Sequence, residues 1–235
     1  MNIKTIPLLF LSIVSVTAQA TLYDRGEGLI YDDVLNITWL QDANYANTSN
    51  YSTAQGRDVT ATNGKMTWNE AIEWSRQLNY KGYNDWHLPE VKPINGSNFQ
   101  INVSFDGSSD FGERITSTQS ELSYMYFVNL NNTSAHNTLG DLIGCGPLDS
   151  CLINTVPFDN LIAYNYWSDT QVESNPNFAW SFNSQHGIQT LFDGKGNYFH
   201  AWAVHSGDIS AVPIPSAFLL LSSAIISLTR FNKKK

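Results

Sequence analysis

The residues best equipped for chemistry in this chain fall into a few short groups. Cys145 and Cys151 are the only cysteines, with five residues between them in a segment containing Gly146, Pro147 and Asp149. In an oxidising compartment that spacing suits a local loop disulfide. A zinc site would need further ligands, and no His or Cys near in sequence supplies them. Asp106-Gly107-Ser108-Ser109-Asp110 and Asp193-Gly194-Lys195-Gly196-Asn197 each gather the hard oxygens that calcium prefers, yet neither reaches the ligand count of a calcium loop. Plain turns are expected there, so no cofactor is assigned and calcium is the one ion to test. Asn84-Asp85 before Trp86 reads as a turn-capping pair. His200 and His205 are an odd number of residues apart, which on one strand puts them on opposite faces and argues against a shared metal. No Gly-x-Ser-x-Gly, His-Glu-x-x-His or Walker pattern occurs, and no catalytic residue is assigned.

The elements that would hold these groups can be read from periodicity and punctuation. Gly28 to Tyr31, a turn at Asp32-Asp33, and Val34 to Leu40 read as short β segments. Residues 45–65 are polar and read as an exposed loop. Thr67 and Glu70 form a capping box for a helix whose inner face is Trp68, Ala71, Ile72, Ser75 and Leu78, stopping at Lys81-Gly82. A second helix is expected over 120–130, with Leu122, Met125, Tyr126 and Leu130 at compatible spacing. Residues 131–160 read as loop. Tyr166-Trp167-Ser168, Phe178 to Phe182 and His200 to Val204 read as late strands separated by Gly and Asn turns. The fold class expected is α+β, a small twisted, mostly antiparallel sheet flanked by two helices with long loops.

Composition narrows the partners. All 21 acidic residues lie within 21–208, whereas five of the 13 basic ones lie outside it; eight bases against 21 acids leave that stretch with a net charge near −13. Such a surface repels nucleic acid and lacks the basic clusters its binding requires. Residues 1–20 have a basic start at Lys4, an apolar run and an Ala18-Gln19-Ala20 site, the pattern of a secretory signal peptide cleaved by signal peptidase between Ala20 and Thr21. At the other end Val212, Pro213, Ile214 and Pro215 precede a short apolar stretch, Ser216 to Leu228, and a basic tail. That order resembles the PEP-CTERM bacterial sorting signals, although the usual form has Glu in place of Ile. The resemblance implies processing by an exosortase-type enzyme at the inner membrane, with the membrane engaged only through residues 209–235. A single-span anchor with its basic end cytoplasmic is the competing reading, and the stretch is short against the ~20 residues of a stable span. Both place residues 21–208 outside the cytoplasm, at the cell surface or secreted.

Five strings then carry a second resemblance: Asp24-Arg25-Gly26-Glu27-Gly28-Leu29-Ile30-Tyr31-Asp32, Thr38-Trp39-Leu40-Gln41-Asp42-Ala43-Asn44, Gly82-Tyr83-Asn84-Asp85-Trp86-His87-Leu88-Pro89, Tyr166-Trp167-Ser168 and Ala201-Trp202-Ala203-Val204. Together, over 21–208, they resemble the Lcl C-terminal domain family of secreted bacterial proteins, named from a collagen-like adhesin. The resemblance implies a fold similar to C-type lectins and to formylglycine-generating enzymes. The chain departs from the family pattern at His87 and His205, where Arg is usual, and at Glu90, where a small hydroxyl residue is usual. Glu-Pro-Asn and Gln-Pro-Asp, the calcium motifs of sugar-binding lectins, are absent. The function expected is non-catalytic binding or adhesion to a polysaccharide or other surface ligand. A structural surface protein without a small ligand and an enzyme of the formylglycine-generating fold are the alternatives. Any binding site is expected in the loops 43–65 or 131–165, since loops on a rigid scaffold carry recognition.

Overall fold

The computed structural model describes residues 21–53, 56–145 and 149–210. The leader up to Ala20, the motif Val212 to Pro215 and the apolar stretch after it lie outside the described residues. Among the described residues, no helix is long and apolar enough to cross a membrane.

The architecture is α+β with few helices and two mostly antiparallel sheets, not one. The first sheet joins β1 (Leu22–Gly26), β2 (Leu29–Asp32), β3 (Ile37–Leu40) and β9 (Val204–Ser206) in the order β1-β2-β3-β9. It takes its last strand from the far end of the chain, with Trp39 opposite Val204 and Ile37 opposite Ser206. The second sheet runs β4-β5-β8-β7-β6, built from β4 (Val103–Ser104), β5 (Phe111–Glu113), β6 (Asn165–Gln171), β7 (Phe178–Asn183) and β8 (Ile188–Gly194). Only β4 and β5 are parallel. Gly112 makes that pairing possible: at φ 133° its backbone lies against the Ser104 carbonyl, where a Cβ would collide.

The helix α2 (Trp68–Gln77) begins as the capping box requires, the Thr67 N–H donating to the Glu70 carboxylate at 2.8 Å. Its inner face holds Ala71, Ile72, Trp74 and Ser75. It stops earlier than expected because Lys81 and Gly82 serve a different turn. Both have positive φ, and Tyr80 and Tyr83 exchange backbone hydrogen bonds of 3.0 Å across them, closing a tight hairpin. The short helix α1 (Tyr45–Thr48) and a 3₁₀ turn at Val59–Thr62 lie where a loop was expected. Asn44, Ala46, Thr53, Val59 and Met66 are buried, so this polar segment is folded onto the body. The second expected helix is present as α3 (Glu121–Tyr124) running into a π-helical turn at Met125–Asn129.

The core is a Trp-rich layer. Trp39 and Trp202 lie 4.5 Å apart between ring centroids, with Phe158 against Trp202 at 4.7 Å. Trp202 donates its indole N–H to the Leu40 carbonyl (2.7 Å), Trp167 to Met66 (2.9 Å) and Trp86 to Tyr83 (3.0 Å). Each apolar body is thus buried while its polar handle is satisfied. A second, smaller cluster of Val91, Val172, Trp180 and Leu191 lies apart from this core. A register shift between Ala179 and Ser181 accounts for it: Ala179 and Phe182 both reach the main core, whereas Phe178 and Trp180 turn to the second cluster. A slip of one residue in a strand exchanges its faces.

Candidate binding surfaces

Cys145 and Cys151 are joined in a disulfide, as their spacing suggested. The segment around them is pinned by polar side chains. Asn132 accepts the Ile153 and Asn154 N–H groups, each at 2.8 Å, and donates to the Asn154 carbonyl. Asn137 accepts from Leu139 (2.9 Å) and Asp141 (3.0 Å), forming a turn with Leu139 near its tip. The Cys151 N–H donates to the Gln185 carbonyl at 2.7 Å and ties the loop to the β7–β8 connection. Glu113, buried in β5, holds the His136 imidazole at 2.6 Å. These contacts hold the flanks of the segment while large apolar side chains stay in water: Leu139 is 85 % and Val156 84 % exposed, and Leu142, Ile143 and Ile153 are exposed as well. Exposed apolar residues concentrated on one segment mark an interaction surface more often than scattered ones do.

The groups first considered for metal chemistry are dispersed or already engaged. Asp106 accepts the Ser108 N–H, which together with the Ser108 hydroxyl holds its carboxyl below the ordinary range. Asp110 is buried and accepts the Ile94 and Gln100 N–H groups at 2.8 and 2.7 Å. The two carboxylates therefore serve separate turns. In the 193–197 loop Asp193 accepts the Ser181 hydroxyl, while the Lys195 ammonium stands 3.9 Å from the Trp68 ring centroid. That cation works against binding another. Asn84 accepts the Asn79 amide and Asp85 has a φ of 64°, the geometry of a turn. Among the described residues, no group of three or more His, Cys, Asp or Glu is placed to hold a metal.

His200 and His205 do not share one regular strand, because pairing is continuous only over Val204–Ser206. His200 is buried against Asn44, Tyr164 and Tyr166, and burial, with the nearby Lys65 charge, lowers its pKa to about 4. His205 packs on Tyr83 and Trp86. His87 lies beside the same strand, exchanging backbone hydrogen bonds of 2.9 Å with Val204 and reaching Ser206 Oγ at 3.3 Å. His87 and His205 thus both lie along β9.

Sequence reading did not anticipate a groove of about 340 Å³ beside the second cluster. Phe99, Ile101, Val172 and Trp180 wall it, and Asn98, Glu173 and Ser174 stand at its rim. Phe99 and Ile101 were signals of a kind, two large apolar residues in an Asn- and Ser-rich stretch. Their target was hidden because the β7 register shift that turns Trp180 to this side leaves no trace in the alternation of residue types. A smaller hollow of about 170 Å³ lies between Tyr45, Tyr51, Trp74 and Leu78, at the folded 43–65 segment.

In comparison with known proteins, the sequence model of the Lcl C-terminal domain matches residues 28–205. No curated protein and no solved structure matches the chain.

Proposed function

The chain belongs to the Lcl C-terminal domain family, and on that footing we propose that it is an extracytoplasmic, non-catalytic binding domain of C-type-lectin-like fold that attaches to glycan or matrix material at the cell surface. In this reading signal peptidase removes residues 1–20, and an exosortase-type enzyme recognises Val212 to Pro215. The observation that carries it is the set of exposed apolar side chains on the disulfide-tied segment, Leu139, Leu142, Ile143, Ile153 and Val156. Asn132 holds the backbone of Ile153 and Asn154, so that stretch meets a partner with little ordering left to do, which favours affinity. The disulfide also accords with an oxidising compartment.

The test is binding of the protein, purified from cells that express the full chain, to extracellular polysaccharide from the same culture immobilised on a sensor surface. Saturable binding that falls at least tenfold when Leu139, Leu142, Ile153 and Val156 are all changed to Ser is the expected result. Absence of saturable binding would favour a structural protein without a ligand, and undiminished binding by the variant would remove the loop from the site.

A further inference from the structure

The groove beside the second cluster carries polar groups that the fold does not use. Asp106, Asp110, Asn132 and Asn137 all use their side chains to hold the backbone. The side chains of Asn98, Glu173 and Ser174 are exposed and make no hydrogen bond or ion pair among the described residues. Below them the walls are apolar, with Phe99 tilted against Trp180 at 4.9 Å between centroids and Ile101 half in solvent. Trp180 also carries a buried indole N–H that finds no acceptor. The volume lies at the lower end of the ~300–1,000 Å³ of small-molecule sites.

We propose that this groove binds an uncharged pyranose unit of a polysaccharide, its C–H face against Phe99, Ile101 and Val172 and its hydroxyls on Asn98, Glu173 and Ser174. An amide, a carboxylate and a hydroxyl together offer both donors and acceptors, which matches a ring of hydroxyl groups. The lining contains no cation, and Glu173 is its one charge. In a body with 21 acids, that sets the groove against uronate or sulfate groups. The proposal rests on the binding reading above and gives it a second, separate surface.

The probes are maltoheptaose, cellohexaose and chitohexaose, with polygalacturonate as the charged counterpart, each titrated calorimetrically into the purified full-length protein. At least one neutral oligosaccharide should bind, and its affinity should fall tenfold or more in the Asn98→Ala, Glu173→Ala double variant. Neither rim side chain holds the fold, so the variant should keep the parent near-ultraviolet circular dichroism. Binding by none of the three, equal binding by the double variant, or preference for polygalacturonate would overturn the assignment. If immobilised culture polysaccharide still binds through the 139–156 segment in any of those cases, the groove is refuted and the adhesion reading stands.

Discussion

Glu121 begins α3 with a carboxylate in an unfavourable place. It accepts the Glu90 N–H at 2.8 Å, but burial, with the charges of Glu90 and Asp32 nearby, outweighs that bond and the Lys92 charge and raises its pKa to about 7. The folded state therefore holds a proton that the unfolded chain, near 4.5, has released. Between those values stability falls as pH rises, and above pH 7 the whole penalty is present. His200 acts in the opposite direction. Its pKa of about 4 lies below the ordinary 6.5, so its contribution is present at neutral pH and is lost as acid carries the solution down through that window. In Glu121→Gln, which keeps an acceptor for Glu90, the decline between pH 5 and pH 8 should flatten by about 1–2 kcal/mol in urea unfolding curves. An unchanged slope would show that Glu121 titrates as an ordinary surface acid.

At the scale of elements, α2 depends on its first turn. Glu70 closes the capping box with Thr67 and also pairs with Arg57, whose guanidinium lies 4.7 Å from the Tyr198 ring centroid, so the helix start is tied to the folded 43–65 segment. Thr67→Ala should cost about 1 kcal/mol, read as a lower urea midpoint with an unchanged slope. A cost below a few tenths would mean that Glu70 is held by Arg57 alone. This cap was legible in the sequence because its signal is local, and so were the β2–β3 hairpin and the disulfide. The 43–65 segment was not. Its polar residues suggested solvent, yet Asp58 caps the 3₁₀ turn by accepting the Thr60 N–H, and Gly64, at φ 82°, lies where a Cβ would strike the Asn44 side chain. The Asn44–Gly64 approach joins residues far apart in sequence, and composition does not encode it. The strands β4, β5 and β8 were not anticipated either: β4 and β5 have only two and three residues, and β5 is held by the distant β8. The groove at Trp180 followed from them and was hidden with them.

At the scale of the molecule, the body is strongly acidic, and several of its few cations rest on aromatic faces. Lys65 lies 4.8 Å from the Tyr164 ring centroid, in addition to the Lys195–Trp68 and Arg57–Tyr198 contacts. Such contacts bury the alkyl stems and hold cations at the surface of a Trp-rich core. The first sheet has a consequence of another kind. Because β9 pairs with β3, the beginning and end of the domain lie side by side: Arg25 forms a bidentate pair with Asp208 at 2.7 and 2.8 Å, and the Ile209 N–H donates to Thr38 Oγ1 at 3.2 Å. Chain order is then separable from architecture. A circular permutant that joins Ser210 to Thr21 through a short Gly-Ser linker and opens the chain at the exposed Asn95-Gly96 turn should keep the parent circular dichroism and cooperative unfolding. Collapse of that permutant would show that the β1 end must form before β9 can dock. Success would make the molecule a ring cut at an arbitrary point, with both sheets assembling in whichever order the ribosome delivers them.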